Sequence, residues 1–146
     1  MSSSASPTAQ ARVMAAAGRW AEAEGVVARL VAEQFGLPVA RVAINRDRYS
    51  LNSLNGTVAL ADGGSLFFKF HQEEAEGETV AEYYRAEALR RAGFRIDVPT
   101  HVSGAVGRQI LLYRRRDEPR FVDLCRSMEL TGEEAGLARL VALQEE

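Results

Sequence analysis

The 146-residue chain predicts an α+β fold. The expected architecture is a five-stranded antiparallel sheet with one helix between strands 3 and 4, preceded by a long N-terminal helix and followed by a partial C-terminal helix. Three observations predict it. Apolar residues recur at helical spacing from about Thr8 to Phe35, after which the period changes to two. Asp62-Gly63-Gly64 is a tight-hairpin signal between two such alternating runs. An acidic run at 73–78 opens a stretch that ends on Arg90, Arg91 and Gly93, with charges placed as a helix dipole favours.

Val13, Ala16, Ala17, Trp20, Val27, Leu30, Val31 and Phe35 form the apolar stripe of the first helix, and Gly36 and Pro38 stop it. Gly25 is where it would loosen or split, and Trp20 is expected as a core anchor. Val42, Ile44, Tyr49 and Leu51 suggest a first strand, and a polar loop, Asn52 to Gly56, follows. Thr57 to Ala61 is the second strand and Leu66 to His71 the third. Alternation places Leu66, Phe68 and Phe70 on one face of that third strand, and Phe67, Lys69 and His71 on the other. Val98 to Val102 is a short strand opened by proline, and Arg108 to Tyr113 is the fifth. The charged segment Arg114 to Pro119 breaks the pattern, and Phe121 to Met128 is a short helix or irregular segment. Thr131-Gly132-Glu133-Glu134 is a capping box opening a last helix, which runs into Gln144-Glu145-Glu146 with no cap of its own. That ending suggests a chain cut inside or just after a helix. The expected organisation is a disordered tail at 1–7, a helical segment at 8–36, a compact lobe at 40–114, and a linker with further helix at 115–146.

Composition narrows the function. With 47% hydrophobic and 26% charged residues the chain is of ordinary globular type. A net charge of −2 argues against nucleic acid or a membrane surface as the main partner. The run Arg114 to Arg116 with Arg120 is better read as a solvated linker than as an RNA site. One cysteine, Cys125, excludes an internal disulfide framework and fits a reducing, cytoplasmic setting. No stretch approaches 18 apolar residues, and no spacing of His, Cys, Asp or Glu suggests a metal site.

The most informative residue is Lys69. It is the single lysine among 18 basic residues, and it lies inside the apolar run Ser65-Leu66-Phe67-Phe68-Lys69-Phe70-His71. Lysine is a compact point charge where arginine is a planar fork, and phosphate oxygens are its usual partner in such a position.

The order of elements, with Phe67-Phe68-Lys69-Phe70, the helix Ala81 to Gly93, Asp97-Val98-Pro99 and the apolar Ile110-Leu111-Leu112-Tyr113 before a polar linker, resembles the small lobe of protein-kinase-like phosphotransferases. The closest similarity is to the aminoglycoside-phosphotransferase-like branch, over roughly residues 42 to 120. The resemblance implies that Lys69 holds the phosphates of ATP and that a glutamate of the following helix holds Lys69. Glu87 is preferred to Glu82 for that part, since it falls beside Val80 and Tyr84 on the helical wheel. The resemblance further implies that Ser53 and Asn55, on a short loop, contact the phosphates. Tyr113 to Arg115 would form a hinge at the adenine edge, with Leu112 and Tyr113 as walls. The loop is not the glycine-rich loop of protein kinases. Neither His71 nor His101 begins a His-x-Asp motif, so no general base or magnesium pair is assigned, and Mg2+ is expected only with a large lobe. The chain is therefore expected to be a nucleotide-binding part that is inactive alone. Its open cleft face would meet the missing lobe or a second copy. The alternative is a stand-alone, non-catalytic α+β module of the same shape.

Overall fold

The computed structural model describes residues 5–46, 53–71, 78–118, 121–132, 136–138 and 141–142. The chain divides into two compact units, Met1–Arg115 and Arg116–Glu146.

The first unit has the expected α+β architecture. Its N-terminal helical segment is two helices, α1 (Pro7–Ala16) and α2 (Trp20–Phe35). Ser6 caps α1 by accepting from the Ala9 amide, with Pro7 at the first helical position. The break falls at Gly18, in the left-handed region at φ 73°, and Gly25 sits inside α2. A residue that must take positive φ ends a helix, whereas an interior glycine only weakens one. Gly36 then ends α2 in the left-handed conformation, donating to the Ala32 carbonyl, as expected.

The sheet holds β1 (Val39–Ile44), β2 (Ser53–Leu60), β3 (Ser65–His71), β4 (His101–Ser103) and β5 (Ile110–Arg114). Their spatial order is β1-β2-β3-β5-β4, and every pairing is antiparallel. Helix α3 (Glu78–Arg91) lies between β3 and β4 in the chain. The turn between β2 and β3 is the expected hairpin: Gly63 has φ 89°, and the Gly64 amide donates to the Asp62 carboxylate at 2.8 Å. Strand β2 begins at Ser53, four residues before the expected Thr57, so Ser53 and Asn55 lie in the sheet and not on a loop. Tyr49 and Leu51, expected on the first strand, lie outside the described residues, as does the acidic run at 73–77.

One face of the sheet is apolar. Val42, Ile44, Leu54, Val58, Phe68, Phe70, Ile110 and Leu112 pack against Ala11 and Ala15 of α1 and Ala23, Val26, Val27, Leu30 and Val31 of α2. Trp20 and Phe35 border this core. Leu112, expected to wall a base pocket, belongs here: alternation along β5 turns it from the face that carries Tyr113. The other face mixes polar residues with Phe67, Leu111 and Tyr113 and carries α3.

In the second unit α4 spans Phe121–Thr131. Thr131 closes this helix, its hydroxyl donating to the Ser127 carbonyl at 2.8 Å, and Gly132 stops it at φ 67°. Thr131 thus ends one helix instead of opening the next, Glu133 and Glu134 lie outside the described residues, and residues 136–138 and 141–142 are helical, within the expected last helix. Among the described residues no helix is long and apolar enough to cross a membrane.

Candidate functional site

Cross-strand register assembles the face that carries α3. Asn55 on β2 pairs with Lys69 on β3, and Ser53 with His71. Lys69 in turn pairs with Leu111 on β5, and Phe67 with Tyr113. Directly paired residues share a face, so Ser53, Asn55, Phe67, Lys69, His71, Leu111 and Tyr113 all lie on the side opposite the main core.

Helix α3 reaches this face through small residues. Thr79 and Ala86 are buried, and Glu82 lies between them on the same stripe. Its carboxylate is the centre of the site. Lys69 Nζ is 2.8 Å from Glu82 Oε2, His71 Nε2 is 3.2 Å from the same oxygen, and the Tyr113 hydroxyl donates to Oε1 at 2.6 Å. Three groups from two strands thus converge on one helical side chain.

The electrostatics follow from that geometry. Burial pushes the Glu82 carboxyl up, but the hydrogen bonds from Lys69, Tyr113 and His71 and the Lys69 charge outweigh it, so Glu82 stays below the ordinary carboxylate value. Burial, then the bond to Glu82 and its negative charge, push the Tyr113 hydroxyl far up, so it remains a donor. An ionised Glu82 only accepts, so His71 Nε2 carries the proton in their hydrogen bond. Among the described residues Lys69 bonds to Glu82 alone. Its side chain is 30% exposed, and an ammonium has three donors. The arrangement is a held cation with donors to spare beside water, which suits an anionic ligand.

Glu87 is not the lysine partner. Its carboxylate is held along α3 by Arg90 at 3.0 Å and Arg91 at 3.6 Å, both exposed. Hydrogen bonding from Arg90, then the charges of Arg90 and Arg91, hold Glu87 below its ordinary value.

Ser53 and Asn55 do lie beside Lys69, but as buried strand residues. Asn45 donates to Asn55 Oδ1 at 2.7 Å, and Asn55 donates to Ser53 Oγ at 3.3 Å, so a chain of amides and a hydroxyl floors this side of the site. Tyr113 does more than wall the site, since its hydroxyl is spent on Glu82, while its ring lies 6.2 Å from that of Phe67. Arg115 is exposed, with Nη1 donating to Ser65 Oγ at 3.4 Å; it is brought to the β3 end nearest the linker, not to Lys69.

Sequence reasoning missed His71 and Asn45 as members. His71 had a usable signal, since a residue two beyond Lys69 must share its face. Asn45 had none, because its reach depends on the β1–β2 register. Among the described residues no three His, Cys, Asp or Glu are gathered closely enough to hold a metal ion. No family model, curated protein or solved structure matches the chain.

Proposed function

We propose that this chain binds ATP through Lys69, as the nucleotide-binding small lobe of a cytoplasmic small-molecule phosphotransferase. The observation that carries the reading is the 2.8 Å contact between Lys69 on β3 and Glu82, on the helix that follows β3. The strand order β1-β2-β3-β5-β4 with that helix between β3 and β4 supports it, because it has the plan of a kinase-like small lobe.

The residues fit a nucleotide in kind. Glu82 keeps the ammonium charged and aimed when no phosphate is present. The remaining donors of Lys69 meet phosphate oxygens, and Ser53 and Asn55 supply a rigid polar floor. Phe67 and Tyr113 offer aromatic surface for a base. ATP supplies the phosphoryl group; the lobe's own part is to bind and orient it and to offset its charge, which is most of what protein groups do in this chemistry. On this proposal the general base and the magnesium ligands come from a second lobe.

A stand-alone, non-catalytic module is the second reading. It is favoured by the closure of the cluster on itself, with both Glu82 oxygens already engaged. Calorimetric titration with ATP separates the two. The expected result is weak binding that Lys69→Ala abolishes without unfolding the chain, and loss of ATP-dependent turnover when Lys69→Ala is placed in a protein that also carries the catalytic lobe. Binding unchanged by Lys69→Ala would sink the phosphate role and leave the non-catalytic module.

A further inference from the structure

We infer that His71 is a positioning residue that holds Glu82 in place when Lys69 turns from it towards the phosphates. The inference rests on the proposed ATP reading and adds to it a residue that never touches the nucleotide.

His71 is the last residue of β3, and two helices meet on it. Its backbone amide donates to the hydroxyl of Thr79 on α3 at 3.1 Å, and Thr79 is buried. Its carbonyl accepts from Arg12 Nη1 of α1 at 3.1 Å. Its ring takes the Glu82 oxygen that Lys69 also uses. A side chain whose backbone is anchored on both sides presents its ring with little freedom left to lose.

The shared oxygen is what gives this placement a purpose. A lysine that holds both a carboxylate and an incoming phosphate must loosen its grip on one. A partly buried carboxylate that loses a charged donor pays for its desolvation again, which opposes ligand capture. With His71 on Oε2 and Tyr113 on Oε1, Glu82 keeps a donor on each oxygen after Lys69 moves. The carboxylate then stays where it can steer the ammonium, and α3 stays on the sheet.

The test is ATP affinity by calorimetric titration for wild type, His71→Ala, His71→Gln, Glu82→Gln and the His71→Ala/Glu82→Gln double variant. Glutamine places an amide donor about where Nε2 lies. His71→Ala is expected to weaken ATP binding about tenfold, and His71→Gln to recover most of it. In the Glu82→Gln background His71→Ala should cost nothing further, because a residue acting through a carboxylate has no effect once that carboxylate is gone. Wild-type affinity in His71→Ala, or an equal loss with and without the Glu82 carboxylate, would overturn the inference while the Lys69 reading stands. No ATP binding by wild type would remove both. If His71→Ala does not fold, His71→Leu fills the space without the donor and takes its place in the cycle. Nitrogen NMR of the imidazole gives an independent check: the Nε2–H form is expected, and a ring protonated on Nδ1 alone refutes the hydrogen bond.

Discussion

Replacing Glu82 or Glu87 with glutamine separates the two carboxylates that α3 offers. Lys69 Nζ and Glu82 Oε2 are 2.8 Å apart, with side chains 30% and 23% exposed. At an effective dielectric of about 20 that separation corresponds to a gross attraction of about 6 kcal/mol. Desolvation of both ions takes back most of it, and breaking a fully buried pair costs only about 3–5 kcal/mol. This pair is half-buried, and glutamine still leaves the Tyr113 hydroxyl an oxygen to bond. Glu82→Gln should therefore cost about 2 kcal/mol. With a urea slope of about 2 kcal/mol per molar, the unfolding midpoint should fall by about 1 M. Trp20, the chain's one tryptophan, packs against the core of the first unit, so its fluorescence reports that unit's unfolding. Glu87 bridges only exposed arginines, and Glu87→Gln should leave the midpoint within error. An equal loss in both variants, or no loss in Glu82→Gln, would refute the claim that Glu82, and not Glu87, is the carboxylate that joins the helix to the sheet.

The same cluster sets a pH profile. Glu82 titrates below its ordinary 4.5 in the folded chain, so its contribution is whole above pH 4.5 and is lost as pH falls through the folded value. Tyr113 titrates above its ordinary 10.0, so its contribution is whole below pH 10.0 and is lost as pH rises beyond it. Urea midpoints measured across pH should show Glu82→Gln flattening the acid limb and Tyr113→Phe the alkaline one; unchanged limbs would contradict the assigned partners. Gly56→Ala tests the β1–β2 approach, because an added Cβ would meet the Ala43 carbonyl oxygen, the Phe68 ring and the Ile44 backbone. It should cost at least about 3 kcal/mol in urea unfolding, and a loss under about 0.5 kcal/mol, the level of an inert surface change, would mean the strands are not so close.

Much of the sheet was legible because its signals are local. Alternation in β3 separated Phe68 and Phe70 from Lys69 and His71, and Asp62-Gly63-Gly64 announced a hairpin whose geometry requires a positive-φ residue. The extent of β2 was not legible. Ser53, Asn55 and Gly56 are turn formers by propensity, yet pairing with β1 and β3 draws them into a strand, where Asn45 satisfies Asn55. That partner arrives from ten residues away, and no windowed pattern contains it. The helix break was misplaced for a related reason. Gly18 and Gly25 look alike in sequence, and what separates them is which one must adopt positive φ.

Helix α3 carried the error that mattered most for function. Positions 82 and 87 lie about 140° apart around a helix, so only one can face the sheet, and the choice depends on which stripe is inward. Apolar size pointed to Val80 and Tyr84, and so to Glu87. In the folded chain Tyr84 is 66% exposed and Leu89 41%, while the buried positions are Thr79 and Ala86. A helix that must bring a carboxylate to within 2.8 Å of a strand lysine needs small neighbours to let it approach, and the large residues are left to face out. Ordinary amphipathic logic assumes that a helix packs to bury area. Here α3 packs to deliver Glu82, and its inward stripe of threonine, glutamate and alanine is the pattern that purpose leaves in a sequence.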